Sequence, residues 1–267
     1  MSTITDLQES SSLDGLGVSY TPGLVSYSTS GAAISDKGSS DVFVINPKES
    51  RIKSMKKGVH NGARLHEQEL KASGKKYQGV FVTLTYAPGV NWEPRHISDC
   101  LKGMRGWCDR QGVKFRYVWV AEIQEKRKLK FGEGAGHCVH YHIMIWLPKS
   151  LQLPKPDKRG WWPHGMTKTE RAIYPVPYLI KYSSKGTQFD FPPGCRLHGC
   201  GGLSLVSRLE RAWWSLPACI RGMFPDKFDK VRRSKGGGWV VHSTGEWFPA
   251  LFRIISYFPL TVVRVQV

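Results

Sequence analysis

The run Val139 to Leu147 (VHYHIMIWL) leaves the chain little choice of local structure. Apart from its two histidines it is apolar or aromatic throughout, and it holds neither Gly nor Pro, so it reads as a strand inside a sheet. Successive side chains of a strand point to opposite faces, so His140 and His142 share one face while Tyr141 turns to the other. Two imidazoles side by side are nitrogen donors suited to a divalent cation. In isolation such a pair is more often two polar residues on a sheet face, so it needs supporting residues.

Two further runs have strand character: Gly79 to Tyr86 (GVFVTLTY), closed by Ala87-Pro88-Gly89, and Phe115 to Gln124 (FRYVWVAEIQ). The second is joined to the histidine strand by a Lys-, Gly- and Glu-containing loop at 125–136, which makes the two antiparallel neighbours. Between the strands, Pro94 to Gln111 places Ile97, Leu101, Met104 and Trp107 three and four residues apart, the spacing of an amphipathic helix lying on a sheet. The pattern predicts an α+β domain, an antiparallel sheet with helices packed on one face and the other face left free for DNA.

The Ser-, Gly- and Thr-rich residues 1–45 read as a flexible leader, 46–190 as the domain that holds the motifs, and 191–267 as a basic C-terminal extension packed on it. Within this scheme 49–76 is a basic helical segment and 148–169 a Pro-, Lys- and Trp-rich connection. Ser204 to Cys219 reads as one helix, and Trp239 to Phe252 as a hairpin around Ser243-Thr244-Gly245. No apolar stretch free of breakers is long enough to span a membrane, and the six cysteines are too sparse for a disulfide scaffold. Reduced thiols in a cytoplasm are the expectation. Cys195, His198 and Cys200 lack a second pair with zinc-knuckle spacing, so no structural zinc is expected. With 39 Lys and Arg against 21 Asp and Glu, the net charge of +18 points to an anionic polymer as partner.

Pairing through the 125–136 loop lets Glu122 reach the face of His140 and His142 and add a carboxylate to the two imidazoles. Gln124, on the face of Glu122, and His137, just before the strand, are alternatives for that third position. Downstream, Val176 to Gly186 reads as a short helix with Pro177 near its start and Gly186 at its end. On it Tyr178 and Tyr182 lie one turn apart, as do Lys181 and Lys185. A phenol with a pKa of about 10 is a weak nucleophile, but neighbouring ammonium groups favour the phenolate.

The order FVTLTY (81–86), HYHIMIWLP (140–148) and YLIKYSSK (178–185) resembles the three motifs of HUH-family replication initiators. The double tyrosine with a lysine before the second is similar to the two-tyrosine type, found in replication proteins of filamentous and other small single-stranded DNA phages. The resemblance implies an HUH endonuclease-like fold in which His140, His142 and Glu122 bind Mg²⁺ or Mn²⁺, and Tyr178 or Tyr182 attacks one strand to leave a 5′-phosphotyrosine and a free 3′-OH. It assigns Lys181 and Lys185 to steadying phenolate or phosphate. It implies single-stranded or hairpin DNA at a replication origin as substrate, a host helicase and polymerase as partners, and rolling-circle replication with strand rejoining as the outcome. An HUH transposase or relaxase would use the same groups. A non-catalytic single-stranded nucleic-acid-binding protein is the rival of another class, and predicts binding that survives loss of both tyrosines.

Overall fold

In a computed structural model, residues 42–265 are described apart from 126, 128–129, 131–137, 184–189 and 236, and they fall in the unit Asp41–Val267. Strand β1 (Val42–Val44) leads into helix α1 (Pro47–Ala72). The helix begins where the Asn46 side chain accepts the Glu49 N–H at 3.2 Å and Pro47 occupies the first turn. Then come β2 (Tyr77–Tyr86), α2 (His96–Arg110), β3 (Arg116–Ile123) and β4 (Val139–Pro148), close to the bounds their apolar patterns predict. β5 (Gly165–Ala172), α3 (Pro175–Ser183) and β6 (His198–Gly201) complete the central layer. The rest of the chain forms α4 (Leu205–Ser215), α5 (Ala218–Met223), β7 (Val231–Arg233), β8 (Trp239–Val241), β9 (Trp247–Phe248), β10 (Phe252–Tyr257) and β11 (Leu260–Arg264).

Five strands make one antiparallel sheet in the order β5-β2-β4-β3-β6. The domain is α+β, as the sequence pattern predicts. β4 is central and buried along its whole length except Pro148, which explains its unbroken apolar character. Both edge strands escape sequence reading. β5 (GMTKTERA) falls in what reads as a connection, because an edge strand with partly wet faces has no need of an apolar alternation. β6 is too short and Gly-rich to register as a strand, and it carries the sheet past residue 190.

The expectation of a sheet face left open for DNA is not met. On the face of Tyr141, the buried side chains of Val82, Leu84, Trp119, Ile143 and Ile145 meet Trp162, whose ring sits edge-on to Tyr141 at 6.2 Å. α2 lies over the same side, with His96 against Tyr86. The opposite face, which bears His140 and His142, is covered by α1 and α3. Apolar residues at alternate positions of both faces of β3 and β4 require a layer on each side.

Three smaller corrections concern the ends. Residues 42–44, inside the segment read as leader, pair with β11; residues 1–41 lie outside the described residues. The single helix read over Ser204 to Cys219 is two, α4 and α5, because Pro217 cannot continue a helix. The basic stretch before the hairpin contributes β7, so β7, β8 and β9 form a second sheet, packed on a small core of Leu216, Ile220, Val231 and Val241. Among the described residues no helix is long and apolar enough to cross a membrane.

α1 approaches β6 closely through its glycines. A Cβ at Gly58 would overlap the His198 ring, and one at Gly62 would press on Val118 and Cys200. Replacing an exposed helical Gly by Ala ordinarily gains about 1 kcal/mol. Here the sign reverses: Gly58→Ala is expected to lower stability by roughly 1–3 kcal/mol through overpacking, read as a fall in the urea midpoint at unchanged slope.

The same interface holds buried histidines in the neutral form. Burial, then the nearby Arg116 charge, drives His66 down to about 3; burial, then Arg211, drives His198 down to about 4. Both folded values lie below the unfolded value of 6.5, so the stability from neutral burial is complete above that pH and drains away as pH falls toward 4 and 3. Glu69 titrates lower: burial opposes its charge, but hydrogen bonds from Ser207, Arg116 and Ser204 prevail and hold it at about 2. Between pH 6.5 and 4.5 the histidines therefore act without Glu69, and unfolding free energy should fall by about 1.4 kcal/mol per pH unit per titrating histidine. Denaturation midpoints measured across that window test it.

Candidate active site

Cross-strand register assembles the site on β4. His140 faces Glu122 of β3 and Thr85 of β2, and His142 faces Val120 and Thr83. Directly opposed residues of an antiparallel pair share a face, so Glu122, His140, His142, Thr83 and Phe81 project together. The Glu122 carboxylate is in hydrogen-bond contact with His142 Nε2. On the other side of that ring, Thr83 Oγ1 lies 3.2 Å from Nδ1. A proton on Nδ1 donated to the threonine oxygen leaves Nε2 as the free lone pair, the arrangement in which histidine serves as a ligand.

His140 is 7% exposed, and its Nε2 is a buried ring nitrogen with no hydrogen-bond partner among the described residues. Burial, reinforced by the neighbouring His142, pushes its pKa down to about 4 despite the pull of Glu122. The imidazole is neutral at physiological pH and needs no deprotonation before donating a lone pair.

α3 lays both tyrosines over this face. The Tyr182 ring stacks on His142 with centroids 3.8 Å apart. Phe81 forms the floor, stacked with Tyr182 at 5.3 Å and with His142 at 5.5 Å, and edge-on to Tyr178 at 4.5 Å. Tyr178 is 37% exposed and its ring lies 5.5 Å from that of Tyr182. The expectation that lysines favour the phenolate is not met at Tyr182, where burial, followed by Tyr178 and the carboxylates of Glu122 and Glu170, pushes the pKa up to about 12. Lys181 is exposed on α3, and Lys185 lies outside the described residues. The nearest ammonium in the strand layer is instead Lys168 of β5, opposite Thr83 and paired with Glu170 at 2.8 Å.

The structure thus brings together Glu122, His140, His142, Tyr178 and Tyr182. Of the alternatives for the third donor, Gln124 follows β3 with its amide bonded to the Cys138 carbonyl at 2.9 Å, and His137 is outside the described residues. Sequence reading missed Phe81 and Thr83, although the period of two in FVTLTY puts both on one face. It also missed Lys168 and Glu170, which no pattern in β5 announces. Donor types and shared face suit a hard divalent cation, and the orphaned His140 nitrogen fits a ligand role. The spacing is less complete: the two imidazoles are 6.3 Å apart by centroid, and among the described residues no three His, Cys, Asp or Glu side chains are arranged to hold a metal ion.

Residues 79–187 match the family model for the ORF2 type of replication-associated protein. The matched segment runs from β2 through α3 and holds every residue of the site. No curated protein and no solved structure matches the chain. Similarity to this family over the site-bearing segment supports a role in the initiation of replication.

Proposed function

We propose that the chain is a DNA nickase that starts rolling-circle replication by tyrosine attack on one strand at an origin, in a bacterial host cytoplasm. The observation that carries this reading is the stacking of Tyr182 on His142 while Glu122 holds the edge of the same imidazole. It sets a nucleophile beside two nitrogen donors and a carboxylate, the constellation that phosphodiester transfer requires.

Mg²⁺ or Mn²⁺ bound through His140, His142 and Glu122 would supply a Lewis acid for the scissile phosphate. The tyrosine oxygen forms a bond to phosphorus as its proton passes to solvent, and the bond from phosphorus to the 3′ oxygen breaks. That oxygen takes up a proton to become a 3′-OH for a host polymerase, with a host helicase opening the duplex ahead. The phosphodiester energy is kept in the 5′-phosphotyrosyl link, so a second attack can rejoin strands. Tyr178, one turn away and more exposed, is placed to make it. Lys168 and Lys181, rather than steadying the buried phenolate, serve as cations for the flanking phosphates.

The test is to incubate the protein with Mn²⁺ and end-labelled single-stranded origin DNA and look for protein-linked label on a denaturing gel. A linked band that disappears with chelator supports the reading. DNA bound on every origin fragment with no linked band would replace it with non-catalytic binding.

A further inference from the structure

The small sheet β7-β8-β9 has two unlike faces. Val231 lies opposite Val241, and Trp239 is flanked by Arg233 and Phe248, on the side that packs on Leu216 and Ile220. The other side carries Arg232, Val240 and Trp247 in one cross-strand row. Lys230 and His242 stand in the next row, joined by the His242 N–H to Lys230 carbonyl bond of 2.9 Å.

Trp247 is 54% exposed, yet it is not loose. Its indole N–H donates to the Gly237 carbonyl at 3.1 Å. Its ring lies against Gly238, where an added Cβ would come within 3.1 Å of the indole and φ is +76°. An exposed tryptophan held in one orientation gives stacking surface at little further cost in side-chain entropy. Around it the charge is one-sided: from Lys230 through Gly245 the chain has Lys230, Arg232, Arg233 and Lys235 and no carboxylate. The flanking Asp229 carboxylate is engaged by the Ser243 hydroxyl, and Glu246 is exposed in the turn before Trp247.

A solvated surface would explain the cations but not the fixed, open indole. We propose that the outward face of β7-β8-β9 binds single-stranded DNA, with a base stacked on Trp247 and phosphates held by Lys230 and Arg232. A stacking platform beside cations grips single strands because every base offers a π face, whereas bases in a duplex are already stacked. The choice of DNA rests on the nickase reading; the surface lies outside residues 79–187, which match the replication family.

The experiment uses the full chain in chelator, so that no strand is cut, with a fluorescein-labelled oligothymidylate and a duplex of equal length followed by anisotropy at several salt concentrations. Trp247→Ala is expected to weaken oligothymidylate binding roughly tenfold at unchanged salt slope, and Trp247→Phe to restore most of it. Arg232→Ala should lower the slope of log K against log salt by about 0.7. Arg232→Glu, which leaves the indole and its packing untouched, should weaken binding further and covers the case in which Trp247→Ala disturbs the sheet. Parental affinity in both Trp247→Ala and Arg232→Glu overturns the proposal, as does an equal loss on duplex and single strand in Trp247→Ala. Adduct formation is scored separately with Mn²⁺: Trp247-dependent binding without any adduct sinks the nickase reading alone, and adduct formation with Trp247-independent binding sinks this one alone.

Discussion

Tyr182→Phe will abolish the covalent protein–DNA band, lowering its rate of formation by more than about a thousandfold, the scale seen when an enzyme loses its nucleophile. The substitution removes one oxygen and keeps the ring, so the stacks on His142 and Phe81 persist and the fold should be unaffected. Tyr178→Phe is expected to leave the first cleavage largely intact, because that ring touches the edge of Phe81 and not His142. Its defect should appear in strand rejoining, scored as circular product after a full round on an origin plasmid. Unchanged melting temperatures in both variants would assign the losses to chemistry. A linked band that survives Tyr182→Phe but not Tyr178→Phe would reverse the order of the two tyrosines.

His140→Ala is the second large effect. The neutral, orphaned Nε2 makes no hydrogen bond among the described residues, so its removal sacrifices no internal partner. The loss should instead appear in cation dependence. Replacing even an outer partner of a metal ligand typically costs about 10–100-fold in affinity or activity, and loss of a direct donor should exceed that. Two readouts make the case independent of DNA. Adding Mn²⁺ should raise the melting temperature of the parent, since a ligand that binds only the folded state stabilises it. The same addition should leave His140→Ala nearly unmoved, with adduct formation requiring far more Mn²⁺. A parent whose melting temperature ignores Mn²⁺ and Mg²⁺ would count against cation binding at this face.

The central strands and the site were legible for one reason: both depend on short-range alternation. VHYHIMIWL and FRYVWVAEIQ specify their own faces, so the meeting of Glu122 with the two histidines followed once the strands were taken as neighbours. Four-residue spacing put Tyr178 and Tyr182 on one helical stripe, and α3 presents them to that face. What could not be read depends on partners distant in the chain. β5 is a strand because β2 offers it an edge, not because MTKTERA prefers one. The electrostatics of Tyr182 were misjudged because a burial penalty depends on what α3 lies against, and a list of neighbouring lysines omits it. β6 shows the same limit: Gly199 and Gly201 read as turn residues, whereas they make room for the Trp119 and Tyr117 rings, which a Cβ at either position would overlap.

The covering of β4 on both faces and both edges has a kinetic corollary. Amide protons of a strand with paired neighbours on either side exchange with solvent only when the whole sheet opens, whereas a short helix with one exposed side can detach at far lower cost. Deuterium should therefore enter the backbone of 139–147 last and that of 175–183 early. The donors would then keep their spacing for the lifetime of the folded state, while the segment bearing the tyrosines can part from them and return many times within it. A protein that must hold one DNA end covalently while receiving another needs that division between a fixed anvil and a movable arm.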